Sequence, residues 1–497
     1  MATLYVDPDG SDTSPYETVA KAATSLHTAI NACSTGDTII LTNRTDHTNT
    51  GSATSPATCT IQNEDGDGDY RKVAFATWTA NTGIKCDQDV TIQARGITFN
   101  GASFTGAPNG VFYTDVSKTG SRLVLDSCRI TGVDHSGSST KGGVFRLVGT
   151  DNTNSLELRD CVIDDNLGMT TVGGCLARTQ AWNVDISGLT WSNNGDASTN
   201  KSGHFLIEAN IDNVTVDIAR SSFVGNTAGG TTLNDGGALY LFSNGNQLDI
   251  TLTECLFQDC DAKKGGGVWI GRDVEALVRD CQFIDCEATT YGGGGIGKGA
   301  PGVPTFDTKL DLVNCLFLRC TQTGVDATAG GGAIRVDNGR YARIFNCTFI
   351  DCTAAGGEGG DSIYVQDHNA SGTASKTILR NSVFVGTGAA THIVGGGNDG
   401  FDAITEIMTP NGASDISDTG ATTANNLTGD PGVIGPEYQT HYASEAFGQG
   451  RIVTGIHNVY APAGGAWALP TPSIGIDDGG LSLQQRRRRL IRKRRAA

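Results

Sequence analysis

A short cysteine motif recurs between residues 253 and 365 and constrains the fold more than any other feature. Its pattern is C-x-F-x-x-C, and its four copies begin at Cys255, Cys281, Cys315 and Cys347. Glycine clusters separate the copies and lead into short apolar runs, such as GGGVWI from Gly265. A repeat of this length cannot bury its own apolar residues, so its copies must stack on one another. The sequence therefore predicts a solenoid.

Weaker copies of the same frame extend the repeat in both directions. The anchor positions are residues 128, 161, 189, 221, 255, 281, 315, 347 and 382. They are 26 to 35 residues apart. A constant motif at variable spacing predicts stacked strands of fixed length that are joined by loops of different length.

Each copy contains three short stretches that alternate in the way expected of strands with one buried face. Around residue 315 these stretches are LDLV, CLF and, after the glycines, AIRV. The residue between the first two stretches is Asp160, Glu254, Asp280, Asn314, Asn346 or Asn381 in successive copies. Asn and Asp tolerate left-handed backbone, which favours a ladder of turn residues over catalysis. Three strands per coil predict an all-β fold, a single-stranded right-handed parallel β-helix.

Residues 1–42 are expected to form a strand and a capping helix. The stretch 16–32 has small and apolar residues at helical spacing: Val19, Ala22, Ala23, Leu26, Ala29 and Ile30. A helix before the first coil would shield an open sheet edge. We expect the β-helix itself at 43–400, a C-terminal wrap or cap at 401–480 and a basic tail at 481–497.

Two family resemblances follow from these motifs. Phe223 to Asn226, followed by GGALYL from Gly236, resembles the repeat of the chlamydial polymorphic membrane proteins, which are surface adhesins. In later copies Cys260 replaces the Asn, a departure from that repeat. Residues 1–440 more broadly resemble the pectate-lyase-like β-helix superfamily. That resemblance implies the fold but not one function, because the superfamily includes lyases, hydrolases, phage tailspikes and adhesins.

Asp259 and Asp285 are the catalytic candidates. They occupy equal positions on adjacent coils, so their carboxylates are expected about 5 Å apart, the separation used by retaining glycosidases. The same column continues as Arg319 and Asp351. A surface ladder of alternating charge is therefore the alternative interpretation.

The glycine-led strands supply the ligand-binding candidates. Aligning them predicts one outward column of Arg146, Ala177, Leu206, Tyr240, Ile270, Gly297, Arg335 and Tyr364. Exposed Tyr240 and Tyr364, with Trp269 beside Arg335, are expected to stack on sugar rings or to contact a protein partner. Isolated surface aromatic residues are the alternative.

An acidic stretch at residues 63–70 is the candidate metal site. Asn63, Asp65, Asp67 and Asp69 have spacing typical of a calcium loop. Ala74 stands where a bidentate Glu would close an EF-hand, and no helical pattern flanks the stretch. The alternative is a solvated acidic turn, so calcium is the one cofactor considered.

The 14 cysteines are expected to be structural free thiols. Eight of them fall in the C-x-F-x-x-C copies, where stacking places them in internal columns as small apolar residues. Their C-x4-C spacing without His does not match a zinc site. Free thiols favour folding in a reducing cytosol.

The last 17 residues differ in charge from the rest of the chain. The tail contains eight cations and no acid, which leaves 28 basic against 53 acidic residues elsewhere. The cations are Arg486, Arg487, Arg488, Arg489, Arg492, Lys493, Arg494 and Arg495. Such a block is typical of an arm that docks on an acidic protein, another copy of the chain included, or that stays solvated. Nucleic acid is expected only through this tail, because an acidic β-helix would repel phosphate.

These features predict a non-catalytic structural or adhesive rod. The N-terminal stretch MATLYVDPDGSD has no secretory signal pattern, and no run of 18 apolar residues predicts a membrane span. We therefore expect a virion component, such as a tail spike, fibre or capsid-surface protein, or else a surface adhesin. Its partner would be a surface glycan or an acidic protein, and the chain is expected to form a trimer or an end-to-end stack. A polysaccharide lyase or glycoside hydrolase is the alternative.

Overall fold

The structure is a computed structural model, and it describes most of residues 1–440. The residues not described are 50–52, 55–57, 79–82, 87–88, 102–109, 115–118, 135–142, 169–174, 196–202, 229–234, 244, 300–308, 326–329, 338–340, 356–358, 367–376, 387–390, 396–400, 406, 410–415, 418–421, 425, 429–432, 435–438 and 441–497. The chain divides into two compact units, the first being Met1–Asp249 and the second beginning at Ile250. Each unit is built from three parallel sheets, which we call sheets 1, 2 and 3 in the order in which a coil visits them.

In the first unit most strands alternate buried and less buried side chains, the pattern predicted from the sequence. Sheet 1 contains Thr3–Val6, Asp37–Leu41, Cys59–Asn63, Thr91–Arg95, Arg122–Asp126, Ser155–Arg159, Asn183–Ser187 and Val214–Ala219. Sheet 2 contains Thr98–Asn100, Arg129–Thr131, Val162–Asp164, Thr190–Ser192 and Ser222–Val224. Sheet 3 contains Ala53–Thr54, Ile84–Lys85, Phe112–Tyr113, Phe145–Val148, Ala177–Gln180, Phe205–Ala209 and Leu239–Ser243. His47–Asn49 and Phe75–Trp78 form a separate parallel pair.

The second unit repeats this plan and adds a short fourth sheet. Sheet 1 contains Leu248–Thr253, Val274–Arg279, Lys309–Val313, Tyr341–Phe345, Thr377–Arg380, Ala403–Thr405 and Thr422–Ala424. Sheet 2 contains Leu256–Gln258, Gln282–Ile284, Leu316–Leu318, Thr348–Ile350, Val383–Val385, Met408–Thr409 and Leu427–Thr428. Sheet 3 contains Val268–Ile270, Ile296–Lys298, Ile334–Val336, Ile363–Val365, Ile393–Gly395 and Ile416–Ser417. Sheet 4, between sheets 2 and 3, contains Asp261–Lys264, Glu287–Tyr291, Thr321–Gln322 and Thr353–Ala354. Val433–Ile434 and Gln439–Thr440 pair antiparallel after the last coil.

The turn ladder predicted between the first two strands of each coil is confirmed. Its members have φ angles between 49° and 58°, in the left-handed region: Asp160, Glu254, Asp280, Asn314, Asn346 and Asn381. Short polar side chains are favoured there because they tolerate this backbone. The column is therefore architectural.

Stacked side chains fill the interior of each unit. In the second unit the central residue of each of the first five sheet 2 strands is a fully buried phenylalanine: Phe257, Phe283, Phe317, Phe349 and Phe384. In the first unit Asn166, Asn194 and Asn226 form an internal ladder, in which each Nδ2 donates to a backbone carbonyl of the preceding coil. The core is thus one repeated column rather than a single cluster.

The predicted N-terminal helix is shorter than expected. It spans Leu26–Ala32, and a 3-10 turn covers Val19–Lys21. Between them, the Ala23 N–H donates to the Tyr5 carbonyl and Asp7 donates to the Ala23 carbonyl, so pairing with the first strand replaces helical bonds. Val19 is consequently exposed, whereas Leu26, Ala29 and Ile30 are buried.

Within the part of the chain that the structure describes, no helix is both long enough and apolar enough to cross a membrane.

Candidate functional site

In the second unit, one outward column on sheet 3 concentrates aromatic and charged side chains. Trp269, Gly297, Arg335 and Tyr364 are direct partners on successive strands. The sequence alignment predicted Ile270, not Trp269, as the outward residue of the first of these strands. That was wrong by one residue, because Ile270 is a core residue with no exposed area and Trp269 takes the outward place.

Arg335 is the centre of this cluster. Its guanidinium carbon lies 4.0 Å from the ring centroid of Tyr291 and 4.7 Å from that of Tyr364. Its Nε donates to Oδ1 of Asp337 at 2.7 Å. Burial raises the pKa of the Asp337 carboxyl, although the nearby Arg335 opposes that shift. The buried guanidinium is thus held between two rings and one carboxylate oxygen, whereas Oδ2 of Asp337 is buried without a hydrogen-bond partner.

Trp269 closes the cluster from the other side. Its indole lies over two glycines, so that a β-carbon at Gly297 would be 2.5 Å from the ring. A β-carbon at Gly299 would be 2.6 Å from Oδ2 of Asp337 and 2.7 Å from the indole. The Nζ atom of Lys264 lies 5.3 Å from the Trp269 ring centroid. The absence of two side chains thus allows Trp269 to pack flat on the sheet.

The exposure expected for three of the ligand-binding candidates is wrong. Trp269, Arg335 and Tyr364 are 4%, 0% and 2% exposed. Their faces contact one another and Tyr291 rather than solvent, because the long side chains of neighbouring coils are only one strand spacing apart. A role in binding a glycan stays a prediction for these residues.

The corresponding column in the first unit is Arg146, Arg178, Leu206 and Tyr240. Arg178 replaces the predicted Ala177, which is fully buried in the core. The Arg178 guanidinium donates to Oε2 of Glu208 at 2.8 Å, so a carboxylate two residues beyond this column is likewise paired with a cation.

Tyr240 is half-buried in this column, and its ring contacts those of His204 and Phe242. Burial raises its pKa, with a smaller contribution from Asp235 and Glu208. Its partial exposure makes it the most accessible of the predicted sugar-stacking residues.

Asp259 and Asp285 lie on a left-handed turn ladder, with φ angles of 50° and 52°. Arg319 and Asp351 continue the ladder at 49° and 51°. Arg319 binds Asp285 through two hydrogen bonds, Nε to Oδ1 at 2.7 Å and Nη2 to Oδ2 at 2.6 Å. These four residues thus have the features of a charged surface ladder, which was the alternative to a catalytic pair at Asp259 and Asp285.

A second carboxylate pair was missed by sequence reasoning. Asp261 and Glu287 are direct partners on adjacent strands of sheet 4. Burial, and then the charge of Glu287, raises the pKa of Asp261 to about 6. Each residue directly follows the last cysteine of a C-x-F-x-x-C copy, a repeated position that could have identified the pair.

The candidate calcium loop contains its own cation. The Lys72 ammonium bonds to both Asp65 and Asp67, and Nδ2 of Asn63 donates to Oδ1 of Asp67 at 2.8 Å. The Asp69 N–H donates to the same oxygen at 3.0 Å. In the described residues no group of three or more His, Cys, Asp or Glu side chains is placed to hold a metal ion. Calcium at this loop stays a prediction.

The cysteines are all free and buried. Five of those in the repeats donate to carbonyls of the preceding coil, as Cys281 does to Leu252 and Cys320 does to Phe283. Burial raises the pKa of Cys86 and of Cys128 to about 12. Such thiols are poor nucleophiles, because the reactive form is the thiolate.

The family comparison agrees with this geometry. A family model described as the right handed beta helix region matches residues 210–403. The fold is a right-handed parallel β-helix. The matched part of this β-helix includes all four C-x-F-x-x-C copies and the Arg335 cluster.

Among solved structures, the β-helix is similar to the receptor-binding protein of bacteriophage Det7, a podoviral tailspike in a myovirus. The identity is 12% and the TM-score 0.21, over 90% of this chain and 79% of that chain. A likeness at this level carries no functional inference. No curated protein sequence matches the chain.

The predicted basic tail, Arg486 to Arg495, lies outside the described residues, as does the part of the predicted C-terminal wrap that follows residue 440. The parallel coils begin at Thr3 and continue to Leu427–Thr428.

Proposed function

We propose that this β-helix is a non-catalytic structural or adhesive protein, associated with a virion as a tail spike, fibre or capsid-surface protein, or displayed as a surface adhesin. One observation carries the proposal. Five carboxylates at or beside the candidate sites are engaged by cations of the same chain, whereas Asp259 is bonded by the side-chain amide of Gln258: Asp285 by Arg319, Asp337 by Arg335, Glu208 by Arg178, and Asp65 and Asp67 by Lys72. A hydrolase needs one free carboxylic acid and one free carboxylate facing its substrate.

The adhesive part of the proposal rests on Tyr240. It is half-buried beside the Arg178–Glu208 pair, so an apolar ring face lies next to hydrogen-bonding groups, a combination suited to a sugar. Retention of the purified protein on immobilised acidic and neutral glycans tests this role. Tyr240→Ala should weaken retention at least roughly tenfold, as expected for loss of a central aromatic contact. Leu277→Ala is the control, because Leu277 is an exposed residue on sheet 1 of the second unit, and this variant should bind normally. Equal retention of both variants contradicts a role for Tyr240.

The basic tail is proposed to contact an acidic partner, another copy of this chain included. Its eight cations complement the excess of acidic residues in the remaining chain. Deletion of residues 481–497 should reduce the assembly state in light scattering at low salt. An unchanged mass at every salt concentration contradicts this part of the proposal.

A polysaccharide lyase or glycoside hydrolase is the second candidate. Asp261 favours it, because a pKa of about 6 suits a general acid, and Glu287 lies one strand away. Cleavage of a glycan by the wild type, and its loss in both Asp261→Asn and Glu287→Gln, would establish this candidate in place of the first.

A further inference from the structure

A run of cations lies on the outer face of sheet 3 in the first unit. From one strand to the next, its positions are occupied by Lys85, Tyr113, Arg146 and Arg178. The residue that precedes each of them is fully buried: Ile84, Phe112, Phe145 and Ala177. Because side chains alternate along a strand, the column points outward. Three cations in four successive positions stand out in a chain that has 53 acidic and 36 basic residues.

One carboxylate accompanies these cations. Glu208 is the single acidic residue in the six sheet 3 strands from Ile84–Lys85 to Leu239–Ser243. Its Oε2 accepts hydrogen bonds from Nε and Nη2 of Arg178 at 3.2 and 2.8 Å. Arg146 donates to a neutral acceptor, the carbonyl of Thr114, at 3.5 Å. These strands thus contain three cations against one anion.

The two arginines are direct partners on adjacent strands. Neighbouring strands are about 4.8 Å apart. Like charges directly opposite each other destabilise a sheet. Both side chains are partly exposed, so an anion from solution can reach them. A bound carboxylate would reduce the repulsion, because guanidinium groups form paired hydrogen bonds with carboxylates.

The other end of this column is aromatic and acidic. Tyr240 lies two strand spacings beyond Arg178, with Leu206 between them. After burial, the charges of Asp235 and Glu208 contribute to the raised pKa of Tyr240, so both carboxylates act on its ring. A neutral sugar suits this end of the column, whereas an acidic group would be repelled.

We propose that the column binds an oligosaccharide with both acidic and neutral sugars, with an acid group at Arg146 and a neutral ring on Tyr240. This inference rests on the proposed adhesive role of Tyr240 and names the class of its ligand. The two residues are three strand spacings apart, roughly 14 Å, so one sugar is too short to contact both. A nucleic acid is disfavoured, because a phosphate on every nucleotide would place one beside Glu208 and Asp235.

Retention of the full chain on paired polysaccharides tests the proposal. Gellan and hyaluronan contain acidic and neutral sugars, and reduction of their carboxyl groups gives neutral chains with the same backbone. The wild type should be retained roughly tenfold more strongly by at least one native polysaccharide than by its reduced form, as expected for a hydrogen bond to a charged group. Arg146→Gln should lose this difference and Arg146→Lys should keep part of it.

Arg220→Gln is the matched control for charge. Arg220 is exposed at a turn outside sheet 3, so this variant changes the net charge equally and should bind like the wild type. Equal unfolding midpoints show that the variants are folded.

The outcomes separate this inference from the proposed function. Equal retention of the wild type on native and reduced chains, abolished by Tyr240→Ala, leaves the adhesive role standing and overturns acid recognition at Arg146. The same is true if Arg146→Gln still prefers the native chains. Retention on none of the polysaccharides contradicts both ideas. Stronger retention on immobilised oligothymidylate than on any polysaccharide overturns the choice of a glycan.

Discussion

The rings of Phe283 and Phe317 are stacked face to face, with centroids 4.9 Å apart and planes inclined by 5°. This distance is close to the spacing of adjacent strands in a sheet, so identical residues on successive coils stack directly. Phe257, Phe349 and Phe384 extend the same stack at 4.7 to 5.0 Å. The phenylalanine column therefore fixes the register of sheet 2 against the rest of the coil.

Removing one ring from this column should be costly. Phe317→Ala leaves a cavity bounded by Phe283 and Phe349, and should lower the free energy of unfolding by roughly 3 to 5 kcal/mol. Urea unfolding followed by tryptophan fluorescence measures the loss. The exposed Leu277→Ala is the control and should change stability by less than about 0.5 kcal/mol. Similar losses in the two variants would show that the ring stack does not support the fold.

The asparagine ladder should be equally sensitive in the first unit. Oδ1 of Asn194 accepts the Asn166 N–H at 3.1 Å, and its Nδ2 donates to the Ile163 carbonyl at 3.0 Å. Asn194→Ala leaves both groups buried without partners, and should cost roughly 2 to 4 kcal/mol in urea unfolding. Asn194→Cys should cost less, because cysteines such as Cys320 donate to a carbonyl at the equivalent position of the second unit. A cysteine variant less stable than the alanine variant would contradict this equivalence.

Asp261 should make stability depend on pH. Its pKa of about 6 in the folded protein lies above the ordinary value of 3.8, so the folded state binds this proton more tightly than the unfolded chain. Its contribution to stability is complete below pH 3.8 and is lost as the pH rises through 6. Between pH 4.5 and pH 7.5 the wild type should lose roughly 1 to 2 kcal/mol more than Asp261→Asn, allowing for partial exposure. Parallel stability curves for the two proteins would show that the raised pKa is absent.

Lys72 should keep calcium from the acidic loop. Its ammonium bonds to Asp65 and Asp67, the side chains that a calcium ion would need. Lys72→Met removes this cation and should produce a calcium-dependent rise in thermal unfolding temperature that the wild type lacks. Magnesium is the control ion. An equal calcium effect on both proteins would place the ion elsewhere or show that Lys72 moves aside.

The repeated parts of the fold could be predicted from the sequence because each coil has the same turn positions and the same strand pattern. Asn314 and Asn346, for example, occupy one turn position that only a few residue types tolerate, and they identify the boundary between two strands. The N-terminal helix was harder to predict, since Ala23 meets the spacing of a helix but pairs with the first strand. Local periodicity does not show whether a residue's backbone bonds within a helix or to a neighbouring strand.

The sequence predicted most of the residues of the candidate site but not how they contact one another. Alignment of the glycine clusters placed Arg335 and Tyr364 in one column, but misplaced Trp269 by one residue, because a strand reverses its two faces with each single-residue shift. Their burial depends on Tyr291, which comes from a different strand of the coil. Asp337 follows Arg335 by two residues, so both side chains lie on one face of the chain, and this spacing could have predicted their pairing.

The most direct test of the non-catalytic proposal is a prolonged incubation of the purified protein with acidic and neutral polysaccharides, with and without calcium. Reducing ends report hydrolysis, and absorbance of unsaturated sugars reports lyase activity. We predict no product above a boiled control, even where the glycan is retained. Product formed by the wild type and abolished in Asp261→Asn, with folding intact, would contradict the central claim and identify the Asp261–Glu287 pair as catalytic.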